Sequence, residues 1–241
     1  MPLPKITTPT YELVLPSTGK KIKYRPFLVK EEKVLILALE SQDINQITNA
    51  IKSTLKDCIT TRGVKIDDLP TFDIEYIFLN VRGKSVGEAI DLVVTCPDDE
   101  ETTVPVKIYI DEIEIKKDKN HKQEIPLDSK LTLKMKYPSL SQFIKSNFDF
   151  SDESTSTVQQ SFEIVASCID MVYDQEDSWA ASDCTKKELK EWVESLSSSQ
   201  FKQVEEFFTT MPKLSHTIKV KNPKTEVESE VTLEGLANFF G

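Results

Sequence analysis

A chain of 241 residues with 39% hydrophobic and 29% charged residues can bury a sizeable core, and nothing in it reads as globally disordered. A net charge of −10 argues against a nucleic-acid binder, because neutralising phosphates requires a clustered positive face. No apolar run approaches the roughly 20 residues that cross a bilayer. The opening "MPLPKITTPTYELVLPSTGK" lacks the basic start and apolar stretch of a secretory signal, and the four cysteines (Cys58, Cys96, Cys168, Cys184) are scattered rather than framed for disulfides. The expectation is a soluble, cytoplasmic protein that binds neither nucleic acid nor membrane.

"TYELVLPSTGKKIKYRPF" alternates apolar and polar residues around the turn-forming "PSTG", which predicts a hairpin of Tyr11–Leu15 with Lys21–Tyr24. Pro26 disfavours helical geometry at Arg25, and the period then changes. Val34, Leu35, Leu37, Ala38 and Leu39 predict a helical apolar face, with Glu31 and Glu32 in the first turn where the dipole favours negative charge. Asp43 can cap a second helix bearing Ile44, Ile47, Ile51, Leu55 and Ile59, closed at Arg62-Gly63. Thr71 or Asp73 could cap a helix bearing Phe72, Tyr76 and Leu79, although a strand over Ile74–Val81 fits as well. Two β-branched runs flank the acidic turn Pro97–Glu101 and predict a second hairpin with an extension. The lysines at 116, 117, 119 and 122 interleave with acids and read as a solvated loop.

Leu131, Leu133, Met135 and Tyr137 alternate as a strand that Pro138 stops, and "SLSQFIKSNF" starts as helix. A helix is expected from Val158 to Val172, then a loop through "DQEDSWAASDC". Thr185 with Glu188 three residues on forms a capping box, and a further helix carries Phe201, Val204, Phe207 and Phe208. Last come a hairpin turning at Asn222-Pro223-Lys224 and a short aromatic helix. The whole is α+β: an N-terminal β-hairpin, helices, a central hairpin or small antiparallel sheet, a helical segment and a terminal hairpin with a short helix. Two lobes are expected, residues 1–137 and 138–241.

"IDLVVTCPDDEETTVPVKI" and "HTIKVKNPKTEVESEVTL" share a plan of strand, polar pair with proline, acidic-Thr turn and returning strand. Such hairpins resemble zinc-ribbon knuckles, although two unrelated hairpins would look the same. Only Cys96 stands at either turn, whereas Zn²⁺ takes about four N or S ligands, so neither metal nor cofactor is expected. "GKSVG" at Gly83–Gly87 matches the G-x-S-x-G nucleophile elbow with Ser85 as nucleophile and His121 and His216 downstream. No glycine-rich oxyanion segment accompanies it, and a serine hydrolase remains the remote alternative. Gly83-Lys84-Ser85 also echoes the end of a phosphate-binding loop, but Phe78 stands where that loop needs glycine.

"YELVLPSTGKKIKYRPFLVKEEKVLILALES", "DLPTFDIEYIFLNVRGKSVGE" and the closing "TLEGLANFF" together resemble the baseplate hub assembly proteins of T4-like contractile-tailed phages. The resemblance covers the first 120 residues well and the tail loosely. It implies a non-enzymatic, phage-encoded factor in the infected cell's cytoplasm that binds baseplate hub proteins in a chaperone-like way. The alternative is a permanent hub subunit of the tail, and homo-oligomerisation stays open. Because Tyr and Arg are enriched at binding hot spots, Tyr24, Arg25, Phe27, Arg82, Lys84, Ser85 and Glu88 are candidate partner-binding residues, with Phe239 and Phe240 at the chain end. The competing local reading is that Tyr24 and Phe27 staple the hairpin to the first helix while Arg25 pairs with Glu31 or Glu32.

Overall fold

Alternation in the first hairpin decides what it buries. β1 (Tyr11–Val14) and β2 (Lys21–Tyr24) pair antiparallel with Leu13 opposite Ile22 and Tyr11 opposite Tyr24. Leu13, Ile22 and Tyr24 fall on the buried side. The computed structural model describes residues 6–138 and 157–235.

Helices α1 (Val29–Ser41) and α2 (Ile44–Cys58) follow. Asp43 caps α2 as expected, its Oδ1 accepting from the Asn45 and Gln46 N–H groups at 2.8 and 3.2 Å. The helix stops at Cys58, short of Arg62-Gly63, because β2 captures the chain there. The Arg25 N–H donates to the Cys58 carbonyl at 2.9 Å, the Thr60 N–H donates to Lys23, and Ile59 forms a bridge with Tyr24.

α3 (Thr71–Val86) is helix rather than strand. Neither Thr71 nor Asp73 caps it; Pro70 takes the cap position, and the Asp73 carboxylate instead accepts from the Ser17 N–H and hydroxyl. The helix also runs past Gly83 to a cap at Gly87, whose φ of 129° few side chains tolerate. Gly83 is buried inside the helix, where a Cβ would come within 2.6 Å of Ile110 Cδ1, so close approach rather than helix termination explains the glycine.

β3 (Ala89–Thr95) and β4 (Thr103–Tyr109) form the second hairpin. Its extension β5 (Glu114–Lys116) joins the terminal hairpin of β10 (Lys213–Lys221) and β11 (Glu228–Glu234) in the order β11-β10-β5. A four-stranded antiparallel sheet combines β6 (Glu124–Pro126), β7 (Thr132–Met135), β8 (Ile169–Tyr173) and β9 (Ser178–Ala180) in that order. Beside it lie α4 (Thr157–Ser167), α5 (Lys186–Glu194) and α6 (Ser198–Thr210). The helix expected to reach Val172 ends at Ser167. Ile169, Met171 and Val172 suit a strand, and β7 offers them an edge to pair with. The capping boxes of α5 (Thr185 with Glu188) and α6 (Ser197 with Gln200) are in place.

The architecture is α+β. The "SLSQFIKSNF" helix and the terminal aromatic helix lie outside the described residues. Buried apolar residues fall into two clusters. One holds Leu13, Ile22, Tyr24, Ile47, Leu55, Ile77 and Ile108, together with Leu214 and Leu233 of the terminal hairpin. The other holds Leu133, Met135, Val165, Ile169, Val204 and Phe207. Where they meet, Phe72 of α3 packs edge-on against Tyr137 at 5.0 Å, and Tyr137 stacks on Phe207 of α6 at 5.6 Å.

His121 also sits in this seam rather than in a solvated turn. One ring nitrogen is 3.0 Å from the Thr210 hydroxyl and the other 3.0 Å from the Tyr137 hydroxyl. Burial lowers its pKa from 6.5. A depressed histidine favours the fold while neutral, so its contribution is complete above pH 6.5 and is lost as pH falls through the lowered folded value. Chemical denaturation of the wild type is expected to weaken over that range, and a His121→Gln variant to lose that part of the pH dependence.

Candidate functional site

The corner where β2 meets α1 gathers most of the candidate residues. Pro26 turns the chain, and the Arg25 guanidinium folds back onto α1. It donates to both Glu31 oxygens, at 2.8 and 3.1 Å, and to the Pro26 carbonyl at 2.8 Å. Glu31 also accepts the Leu28 N–H at 2.5 Å and is buried. The two-pronged bond from Arg25 holds its carboxyl down at about 2. Arg25 therefore pairs with Glu31, and Glu32 is not its partner.

Tyr24 is 2% exposed, with its ring 5.8 Å from that of Tyr11, and burial pushes its phenol up to about 12. Phe27 packs half-buried against the same core. Its backbone N–H donates to the Ser85 hydroxyl at 2.9 Å, and that hydroxyl donates to the Val81 carbonyl at 2.5 Å. Ser85 thus ties the entry of α1 to the last turn of α3. His121 lies in the seam of the two clusters, and His216 Nδ1–H donates to the Glu112 carbonyl at 3.0 Å, so both histidines are engaged away from Ser85. Lys84 pairs with Glu88 one turn on and lies 5.1 Å over the Tyr11 ring. Arg82 is half-buried, and burial lowers its pKa. Phe239 and Phe240 lie outside the described residues. The structure thus brings Tyr24, Arg25, Phe27 and Ser85 together, and each has its own bonding or packing role within the fold.

What the corner presents outward is α1. The expected apolar face was Val34, Leu35, Leu37, Ala38 and Leu39, but only Ala38 is buried and Leu35 partly so. The inward stripe is Glu31, Leu35 and Ala38, at i, i+4 and i+7, with the ion pair at its upper end. Val29 is 81% exposed and Leu37 54%, and Val34, Ile36 and Leu39 are exposed with them. Periodicity could not choose the inward side because α1 is apolar on several sides, and the chain leaves most of those side chains exposed. Val29 and Ile36 are the members that reasoning from one face misses.

An open depression over β6 and β7 is lined by Lys122, Gln123, Glu124, Pro126, Thr132, Lys134 and Tyr173. Its walls are polar, unlike the apolar enclosure typical of small-molecule sites. Among the described residues no group of three or more His, Cys, Asp or Glu is placed to hold a metal ion. Nor is any described helix long and apolar enough to cross a membrane.

A family model described as "T4 bacteriophage base plate protein" matches residues 8–241. No curated protein and no solved structure gives a significant match.

Proposed function

This chain belongs to the T4 bacteriophage base plate protein family, and on that premise we propose that it works by protein–protein contact, as a non-enzymatic assembly factor that docks on proteins of the baseplate's central hub. The observation that carries the reading is the uncovered apolar surface of α1. Burying a Val, Leu or Ile side chain contributes about 1.5–3 kcal/mol. A few such residues can offset the cost of association and still leave a reversible contact. A factor that shields a hub surface and later leaves needs that balance. Its place of action is the infected cell's cytoplasm.

The test separates docking from folding. Ile36→Glu and Leu37→Glu change exposed positions, so stability is expected to stay within about 0.5 kcal/mol. Binding to hub proteins and the yield of assembled tails are expected to fall at least tenfold. Undiminished hub binding by both variants would sink the proposal.

The same helix also favours a second reading, because permanent subunits join through larger and more apolar interfaces. Mass spectrometry of purified virions decides between them. Stoichiometric presence identifies a baseplate subunit, and absence identifies a factor that leaves. A chain that sediments as a stable dimer, disrupted by Leu37→Glu, would instead assign α1 to self-association.

A further inference from the structure

The turns of β3–β4 and β10–β11 are built alike. One reads Cys96-Pro97-Asp98-Asp99-Glu100 and the other Asn222-Pro223-Lys224-Thr225-Glu226. In each, the fifth residue donates its N–H to the carbonyl of the first, at 3.0 Å from Glu100 to Cys96 and 2.9 Å from Glu226 to Asn222. In each, that fifth residue is a glutamate at positive φ, 56° and 62°. This conformation is uncommon outside glycine, and among the described non-glycine residues only Gln42 shares it.

Side chains brace both turns, at different positions. Asn222 Oδ1 accepts the N–H groups two and three residues on, from Lys224 at 2.8 Å and Thr225 at 3.4 Å. In the first turn the side-chain acceptor is the fourth residue instead: Asp99 Oδ1 accepts from Glu101 at 3.2 Å and Thr102 at 2.9 Å. Turns whose N–H groups converge on one acceptor are the backbone concavities that also hold metal-bound sulfur. The two tips touch. Asn222 Nδ2 donates to both oxygens of Asp98 at 3.0 Å, and the Thr225 hydroxyl donates to the same carboxylate at 2.5 Å. Cys96 and Asn222 are buried at this junction, and the bonds from Thr225 and Asn222 hold the Asp98 carboxyl below the usual carboxylate range.

We infer that the paired turns form a two-knuckle zinc clamp without its metal. Positions 96, 99, 222 and 225 are its four ligand places, and the bonds of Asp98 to Asn222 and Thr225 tie the hairpins where an ion would. Each pair of places is separated by two residues, the spacing of paired zinc ligands. Asn and Thr are not zinc ligands, so of these four places only Cys96 and Asp99 carry one, and the Asp98 carboxylate beside them is taken up by Asn222 and Thr225. The lock is polar rather than metallic, and it joins two hairpins more than a hundred residues apart in sequence.

Three substitutions test this. The full-length Asp99→Cys/Asn222→Cys/Thr225→Cys variant supplies four thiolates together with Cys96. Purified in reducing buffer with zinc, it is expected to bind the metal stoichiometrically by elemental analysis. With cobalt it should show the thiolate-to-metal absorption of a tetrahedral site, and its melting temperature should fall on chelation. Adding Cys96→Ser is expected to abolish that spectrum. A folded triple variant that binds neither metal overturns the inference. So does a triple variant that stays unfolded with zinc present, because binding at a preformed clamp contributes folding energy. Retention of the cobalt spectrum without Cys96 overturns it as well, and stoichiometric zinc in the unaltered chain overturns its metal-free part. In the unaltered chain, Asp98→Ala and Asn222→Ala are expected to be strongly non-additive in stability; simple additivity would show that no lock exists.

Discussion

Replacing Arg25 with alanine is expected to lower the melting temperature by roughly 6–12 °C. The Arg25 side chain is 16% exposed and that of Glu31 6%, so the pair is largely withdrawn from water. Breaking a buried pair costs about 3–5 kcal/mol, because the remaining charge loses its partner but stays out of water. Partial exposure of Arg25 favours the lower end, about 3 kcal/mol. A chain of this size loses about 2–4 °C per kcal/mol. Acid titration supplies an independent check. The Glu31 carboxyl is held at about 2 in the folded chain against 4.5 when free, so the stability it contributes is complete above pH 4.5 and is lost as pH falls toward 2. The gap corresponds to roughly 3 kcal/mol at about 1.4 kcal/mol per pH unit. In Arg25→Ala this acid limb should flatten. A melting temperature that does not move, with hub binding lost, would mean that Arg25 serves a partner rather than the corner.

Phe207→Ala is the second large effect, expected at about 3–5 kcal/mol, the usual cost of emptying a buried aromatic site. Phe207 is 2% exposed and touches His121, Tyr137 and Phe208, with centroids 5.1, 5.6 and 5.1 Å away. It belongs to the second cluster, yet its neighbour Tyr137 carries the contact with Phe72 of α3. Its removal should therefore weaken the second cluster and also its attachment to the first. Denaturation of the wild type is expected to follow one transition and that of Phe207→Ala two, with the β6–β9 sheet and α4–α6 lost first. A loss below about 1 kcal/mol with a single transition would mean that the seam collapses around the gap without consequence.

Local chemistry made much of this fold legible. The alternation of Tyr11–Val14 against Lys21–Tyr24, the Asp43 cap, the Thr185–Glu188 box and the two later hairpins are decided within a few residues of themselves, and each is where the sequence puts it. The misses were decided elsewhere. Cys58 ends α2 because β2 takes its carbonyl, and Ile169–Tyr173 becomes a strand because β7 lies open beside it. Asp73 bonds Ser17 rather than capping α3. At the corner, the bonding of Arg25 to Glu31 was readable from six residues of separation. That Ser85 holds the Phe27 N–H was not, because 58 residues lie between them. The outward side of α1 was hidden for the opposite reason, since a helix apolar on several sides carries no periodic signal of which side faces the core.

The placement of the terminal hairpin bears on how the chain is made. Leu214 and Leu233 complete a cluster whose other described buried members run from Leu13 to Ile113, while the described buried members of the second cluster run from Ile125 to Phe207. On the ribosome, then, the described core residues of the second cluster are all made before Leu214 and Leu233, the members the first cluster still lacks. Until β10 and β11 emerge, β5 lacks its sheet partner and the turn at Cys96–Glu100 lacks the one at Asn222–Glu226. An order of synthesis that usually favours the N-terminal unit is here reversed. The hairpin that completes the first cluster is made after the described core of the second.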